Sequence, residues 1–334
     1  MSTSTTSDND AAAPEGEALG AALADWLGEE LGGPVRIASL RRTSAGFSRE
    51  NWVFDAVLAD GTRLDLIARR DPVGSVLRTD RRVETAVLRH LAGGPVPVPA
   101  LRWVDLDGSR LGRPTIVMDL VEGTCDGFVL NGPAPLSDRV ALAHEMYDRL
   151  ADIHLVDVGG LELDDPGSAA ALAAVSHWES ELHRVQLEPE PELGFVLGWL
   201  RAHAPANEVT TLVHGDFKPG NLLVAHGRVT AVLDWETAHL GDPHEDLGWV
   251  TNPLRRGEHR IAGAWEPDDL LERWARRTGS AVDRDVVHWW QVLANLKLAV
   301  IVLSGTHAFV DGRLDRVYQS PVRIQQLLLH QIGA

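Results

Sequence analysis

Cysteine is almost missing from this chain: Cys125 is the only one in 334 residues. No intrachain disulfide and no thiolate metal cluster can form, and a reducing cytosol fits such usage. Long apolar runs are scarce too. The most apolar stretch, Leu293 to Leu303, is interrupted by Asn295 and Lys297. It falls short of the roughly 20 residues of a membrane span, so a core helix is expected there. Positive charge is in deficit, with 31 Lys and Arg against 48 Asp and Glu and a net charge of −17. That balance argues against nucleic-acid or anionic-membrane surfaces, which attract basic patches, and suits solubility or cationic ligands. The segment Met1 to Asp8 holds neither a basic cluster nor an apolar core. Residues 1–14 are therefore expected to be a disordered tail rather than a signal peptide, on a cytoplasmic protein.

The length suits one or two domains with ample cores. Leu19, Leu23, Trp26, Leu27 and Leu31 recur at helical steps up to Gly32-Gly33-Pro34. Strand-like runs follow at 35–40, 51–58 and 63–69, then a helix at 81–91 and a further strand at 113–120. Beyond Glu122-Gly123-Thr124 helices dominate, at 137–154, 176–186, 268–278 and 283–304. No internal repeat is visible.

One segment departs from this helical pattern. Thr211-Leu212-Val213 reads as a strand, Pro219-Gly220 forces a bend, Asn221 to Val224 resumes as strand, and His226-Gly227-Arg228 turns into Val229 to Leu233. The hairpin brings Asp216, Asn221 and Asp234 to one end of its sheet. Asn221 and Asp234 supply the hard oxygens that Mg²⁺ takes alongside water and substrate phosphates. Asp216 is then left off the metal, placed to accept a proton from an attacking hydroxyl. A carboxylate beside Gly215 and before a proline-glycine bend is alone an ordinary turn residue; in register with the other two it is a candidate base.

The run His214-Gly215-Asp216-x-x-x-x-Asn221, then Asp234-Trp235-Glu236 and Gly241-Asp242-Pro243-His244-Glu245-Asp246-Leu247, resembles the aminoglycoside phosphotransferase family, small-molecule kinases of protein-kinase-like fold. These segments read much as in the branch related to the kinase-like domain of acyl-CoA dehydrogenase family members. The resemblance implies an α+β, bilobal protein-kinase-like fold: a small antiparallel-sheet N-terminal nucleotide lobe over 15–122 and a larger, mainly helical C-terminal lobe over 123–334 that carries catalysis and the substrate. It implies transfer of the γ-phosphate of ATP or GTP, with Mg²⁺, to a hydroxyl of a small molecule, by a monomer or homodimer that engages neither nucleic acid nor membrane.

By the same resemblance Asp216 orients or deprotonates the acceptor, and Asn221 and Asp234 hold the metal that bridges the nucleotide phosphates. Lys218 stands where protein kinases often carry a lysine that neutralises the transferring group and small-molecule kinases commonly place other residues, with a solvated loop lysine the alternative. Arg69 takes the place of the phosphate-holding basic residue of the third strand, with Glu84 as its partner, and arginine adds a bidentate grip that lysine lacks. Gly46 and Ser48 fall in the phosphate-covering loop, which has one glycine and is no P-loop. Main-chain groups from Asp119 to Val121 meet the adenine edge. Asp246 is expected to brace the catalytic loop, and His214 and His154 to be satisfied structural histidines. Trp249, Trp265, Trp274, Trp289 and Trp290 lie where the family builds its acceptor pocket, with core packing the alternative for each.

Two rivals are a nucleotide-binding pseudokinase and a metallohydrolase using His214, Asp216, Asp234, His239, Asp242 and His244. The first usually lacks the base, the asparagine or the metal aspartate, and here all three stand. The second lacks an i, i+4 ligand pair. The acceptor stays open between an aminoglycoside or other antibiotic and a hydroxyacyl compound or other metabolite.

Overall fold

Leu19, Leu23, Trp26 and Leu27 are all buried on one side of the first helix, α1 (Ser7–Leu31), as their spacing requires. The structure, a computed structural model, describes residues 7–43, 49–71, 81–206, 209–314 and 320–334, with side chains from residue 15. Helix α1 begins inside the 1–14 stretch read as a tail, and residues 1–6 lie outside the described ones.

Runs rich in Val, Ile, Phe and Trp then form β1 (Val35–Thr43), β2 (Glu50–Leu58) and β3 (Arg63–Arg70). Helix α2 (Arg81–Leu91), β4 (Leu101–Asp105) and β5 (Thr115–Asp119) follow. The five strands make one antiparallel sheet in the order β1-β2-β3-β5-β4. Between β2 and β3 the chain reverses at Gly61, whose φ of +88° suits glycine. Strand β4 has no counterpart in the sequence reading, because Pro95, Pro97 and Pro99 precede it and Arg102 and Trp103 blur its alternation. Trp52, Phe54, Leu66 and Val117 close this core against Leu23 and Leu27 of α1. Each such side chain, fully buried, contributes roughly 1.5–3 kcal/mol.

The chain divides into two compact units, one of Met1–Ala92 with Pro99–Val121 and one of Gly93–Val98 with Glu122–Ala334. The expected change of character near Glu122 coincides with that division, while Gly93–Val98 goes with the second unit.

The second unit runs α3 (Leu136–His154), α4 (Ala170–Val185), α5 (Pro191–Ala202), β6 (Thr211–Val213), β7 (Leu222–Ala225), β8 (Arg228–Val232) and β9 (His239–Gly241). It continues with α6 (His244–Val250), α7 (Arg256–His259), α8 (Pro267–Thr278), α9 (Arg284–Val310) and α10 (Val322–Gln331). Strand β6 pairs with β9, and β7 with β8, both antiparallel. Helices α5 and α6 escape the sequence reading because Gly194, Gly198 and Gly248 sit inside them, where glycine lowers helix propensity. Gly248 has a packing reason: a Cβ there would lie 2.6 Å from the Cβ of Trp290 on α9.

By length and composition α9 could cross a membrane. In the fold it is the central helix of this unit, with Trp289, Trp290, Leu293, Leu296, Val300 and Leu303 buried in the core. Asp283 caps it, its carboxylate accepting from the amides of Asp285 and Val286 at 2.9 and 3.2 Å.

Candidate active site

The loop after β6 is fixed from several sides. Phe217 buries its ring beside Tyr147, with centroids 6.2 Å apart. Gly215 stands at φ +77°, and a Cβ there would lie 2.8 Å from the carbonyl oxygen of Thr237. Both facts demand glycine immediately before Asp216. Asn221 closes the turn: its Nδ2 donates to the Asp216 carbonyl at 2.9 Å and to Asp216 Oδ2 at 3.0 Å. Lys218 Nζ reaches the same Oδ2 at 2.6 Å.

The hairpin places the fourth residue. The amide of Leu233 donates to the Asn221 carbonyl at 2.8 Å, in line with the pairing of Leu222 with Val232. Asp234 is thus the next residue past the rung that holds Asn221. It takes a left-handed backbone, φ 61° and ψ 56°, which aspartate tolerates better than most residues and which is a form of strain that gathers at functional sites.

Behind the loop lies a buried polar chain. Trp274 Nε1 donates to His154 Nδ1 at 2.9 Å, so the proton of His154 is on Nε2, which donates to Asp246 Oδ2 at 3.1 Å. The Asp246 carboxylate also accepts from the amides of His214 at 2.8 Å and Gly215 at 2.9 Å. Burial alone would raise the pKa of Asp246; the hydrogen bond from His154, with that from the His214 amide, outweighs it and holds the carboxyl below its ordinary value. Asp246, His214 and His154 thus occupy the bracing positions expected of them.

His214 is neutral for a geometric reason: Nε2 donates to the Leu233 carbonyl at 2.9 Å, while Nδ1 accepts from the Asp216 amide at 3.3 Å. Burial pushes its pKa down, and that of His259, beside Tyr147, well below the ordinary value. His239 behaves oppositely. Its ring nitrogens face the Thr237 carbonyl at 2.9 Å and Glu245 Oε2 at 3.0 Å, both acceptors, so both carry protons. Burial works against this cation, but the Glu245 carboxylate prevails and pushes the pKa up to about 9. The side chain is 41% exposed, so the direction rests on these two acceptors.

A pH profile of stability follows. Below 6.5 the unfolded chain takes up protons that buried His214 and His259 refuse, so their contribution is complete above 6.5 and is lost as pH falls. The loss is up to about 1.4 kcal/mol per pH unit for each group. His239 contributes fully below 6.5 and loses its contribution as pH rises through about 9. The melting temperature is expected to peak near neutrality, and calorimetry on His239→Gln should show the alkaline decline flattened with the acid side intact. An alkaline slope identical to that of the wild type would refute the His239 assignment.

In the first unit Arg69 Nη1 meets Glu84 Oε1 at 2.7 Å, both groups buried, which is the pairing expected of them. Sequence reading missed Arg81, which takes the other oxygen of Glu84 at 3.2 Å and also contacts Asp71 at 2.7 Å. Gly46 and Ser48 lie outside the described residues. At the end of β5 two of the main-chain amides are already engaged. The amide of Asp119 already donates to Ala100 O at 3.0 Å and that of Leu120 to Asp65 O at 2.9 Å, so neither is available to a base. Val121 is the remaining main-chain donor of that segment, and the Asp119 carboxylate is engaged with Arg102 at 2.6 and 2.7 Å.

The five tryptophans proposed for the acceptor pocket are all buried, with Trp289 and Trp290 in the α9 core. Of these, Trp249 and Trp290 border a cavity, together with Trp178. The metallohydrolase constellation does not assemble: His244 Nδ1 pairs with Asp242 at 2.7 Å and His239 with Glu245. Among the described residues no three His, Cys, Asp or Glu side chains form a group able to hold a metal. Asn221 and Asp234 instead offer two oxygen donors, a set that fits Mg²⁺ when phosphates and water complete the shell.

Comparison with known proteins agrees with this geometry. A model of the phosphotransferase enzyme family, the aminoglycoside phosphotransferase type, matches residues 39–294. Acyl-CoA dehydrogenase family member 10 of Mus musculus is 30% identical over 243 residues, covering 70% of this chain and 22% of that protein. The chain thus spans about a fifth of that relative's length. Among solved structures, a Ralstonia eutropha JMP134 protein described as an aminoglycoside phosphotransferase superposes with a TM-score of 0.71 at 22% identity, over 93% of this chain and 95% of that one. A thermostable mutant of an aminoglycoside phosphotransferase, in ternary complex with AMP-PNP and hygromycin B, superposes with a TM-score of 0.60 at 16% identity, over 93% and 98%. These likenesses bear out the α+β protein-kinase-like fold.

Proposed function

The chain belongs to the phosphotransferase enzyme family, and on that premise we propose that it moves the γ-phosphate of ATP or GTP, with Mg²⁺, to a hydroxyl group of a small molecule. The observation that carries this reading is the joining of Asp216, Asn221 and Lys218 in one hydrogen-bonded turn, with Asp234 across the hairpin. Asp216 accepts the proton of the attacking hydroxyl as its oxygen bonds to the γ-phosphorus and the bond from that phosphorus to the β–γ bridging oxygen breaks, releasing ADP or GDP. Lys218, paired with that carboxylate, would balance charge on the moving phosphoryl group. Asn221 and Asp234 would hold Mg²⁺, which would supply positive charge against that developing on the phosphate oxygens. In the first unit Arg69, steadied by Glu84, holds nucleotide phosphates, and Val121 offers its amide to the base.

An antibiotic acceptor is favoured by the net charge of −17, which suits a polycationic aminoglycoside, and by the fold shared with the hygromycin B complex. A hydroxylated metabolite is favoured by the likeness to the acyl-CoA dehydrogenase family member. A cytoplasmic protein free of nucleic acid and membrane, as monomer or homodimer, accords with the charge and the single exposed cysteine.

The test is Mg²⁺-ATP and Mg²⁺-GTP turnover against a panel of aminoglycosides, other antibiotics and hydroxyacyl thioesters. An acceptor-dependent release of ADP or GDP supports the reading; binding without turnover across the panel favours the pseudokinase. Asp234→Ala is expected to abolish Mg²⁺-dependent nucleotide binding in calorimetric titration, and a Kd equal to that of the wild type would overturn the ligand assignment.

A further inference from the structure

Only two lysines occur in this chain, Lys218 and Lys297, among 31 cationic residues. Arginine supplies all the others, yet both lysines contact the loop that carries Asp216. Lys218 meets the carboxylate itself. Lys297 comes from the middle of α9, where Leu293, Leu296 and Val300 are core residues, and its Nζ donates to the Gly215 carbonyl at 2.5 Å.

Burying an ammonium in an apolar helix face is unfavourable unless partners offset the lost hydration. Lys297 has few. Besides Gly215 it has the ring of Trp249, 4.6 Å away, the ring of Trp178 at 5.5 Å, and the charges of Glu245, Asp216 and Asp246 farther off. Trp178, Trp249, Glu245 and Lys297 border a cavity of about 10 Å³ against Gly215, a space without room for a larger cation head. A compact point charge fits where a planar guanidinium does not.

The main-chain polar atoms of the two residues before Asp216 can be accounted for completely. The amides of His214 and Gly215 donate to Asp246; the carbonyl of His214 accepts from Thr237 Oγ1 at 3.0 Å; the carbonyl of Gly215 accepts from Lys297. Every polar main-chain atom there is held by a side chain, and Lys297 supplies the one charged donor, from 82 residues away. We propose that Lys297 is a positioning residue for phosphoryl transfer: by fixing the Gly215 peptide from α9 it sets the direction in which Asp216 projects. It touches neither phosphate nor acceptor in this role.

The inference rests on Asp216 being the base, so Asp216→Asn is measured in parallel. Lys297→Met keeps the length of the side chain and removes its charge. A displacement of about 1 Å at a reacting group can lower a rate on the order of 10²-fold, and that is the expected fall in kcat, read as ADP release from Mg²⁺-ATP with acceptor or with water. The KM and Kd of Mg²⁺-ATP should stay within about twofold, since the nucleotide-binding groups are untouched. Lys297→Ala should regain at least tenfold in kcat with n-propylamine and not with n-propanol, which fills the space without the charge. Each variant is assayed at the same interval below its own Tm, so loss of stability is not read as loss of positioning.

Lysine-selective ¹⁵N labelling gives a readout free of activity. Two side-chain signals are expected, with that of Lys297 protected from exchange and lost in Lys297→Met. Unchanged kcat in Lys297→Met, equal recovery with the alcohol, or a rapidly exchanging Lys297 ammonium overturns the proposal. If Asp216→Asn turns over as the wild type does, the assignment of the base fails and the proposal goes with it. A slow Asp216→Asn beside a normal Lys297→Met refutes Lys297 alone.

Discussion

Asp216→Asn is expected to slow phosphoryl transfer by roughly 10² to 10⁴, the usual worth of a positioned base, with Mg²⁺-nucleotide affinity nearly unchanged. The substitution is close to isosteric, and an amide oxygen can still accept the hydrogen bonds that Lys218 and Asn221 now give to Oδ2 at 2.6 and 3.0 Å. The turn is therefore expected to persist while the negative charge and the basicity disappear. An effect confined to kcat would identify an interaction made only in the transition state, whereas a rise in KM alone would point to a binding role. Steady-state kinetics with parallel titration of Mg²⁺-ATP separates the two. Turnover equal to that of the wild type would remove Asp216 from the chemistry.

The second large effect concerns folding. Asp246 is fully buried, and its two oxygens accept from three donors: the His214 amide, the Gly215 amide and His154 Nε2. A carboxylate serves all three, but Asp246→Asn turns one acceptor into an NH₂ group that faces a donor. The unmade buried hydrogen bonds, together with the exchange of a charged acceptor for a neutral one in those that remain, are expected to cost about 3–5 kcal/mol. The loss should appear in denaturant unfolding of the second unit followed by tryptophan fluorescence, since Trp274 sits at the end of the same chain of bonds. A change below about 1 kcal/mol would mean the loop is held without this brace. The depressed pKa gives the same site an acid limit: its stabilisation is full above the unfolded aspartate value of 3.8 and is lost as pH falls through the lower folded value.

The parts legible in the sequence were those specified by neighbours along the chain. The hairpin from Leu222 to Val232 and the turn at Pro219-Gly220 are local, and so are the periodic faces of α1, α3, α8 and α9. Asp216, Asn221 and Asp234 share this property, because their spacing and the pairing of two short strands suffice to bring the chain together there. What escaped is mostly tertiary. Arg81, one turn before Glu84 on α2, also reaches Asp71 outside that helix, and Thr237 reaches His214 across the β6–β9 pair. Lys297 arrives from a helix 82 residues downstream. Its signal was present all the same: a lysine inside the apolar run Leu293 to Leu303 has to find a partner when the helix is buried. Glycine misled the reading of α5 and α6, since propensity marks it as a helix breaker and only the neighbouring helix explains it at position 248.

That glycine links two halves of the loop's support. Asp246 stands two residues before Gly248 on α6, and Lys297 seven residues beyond Trp290 on α9. With no space between the backbone at 248 and the stem of Trp290, the two helices act as a single rigid jig, gripping the amides of two successive peptides and the carbonyl of the next. Any larger residue at 248 would spread the jig, so harm at a spot that touches no reactant should surface as misalignment of the nucleophile's partner.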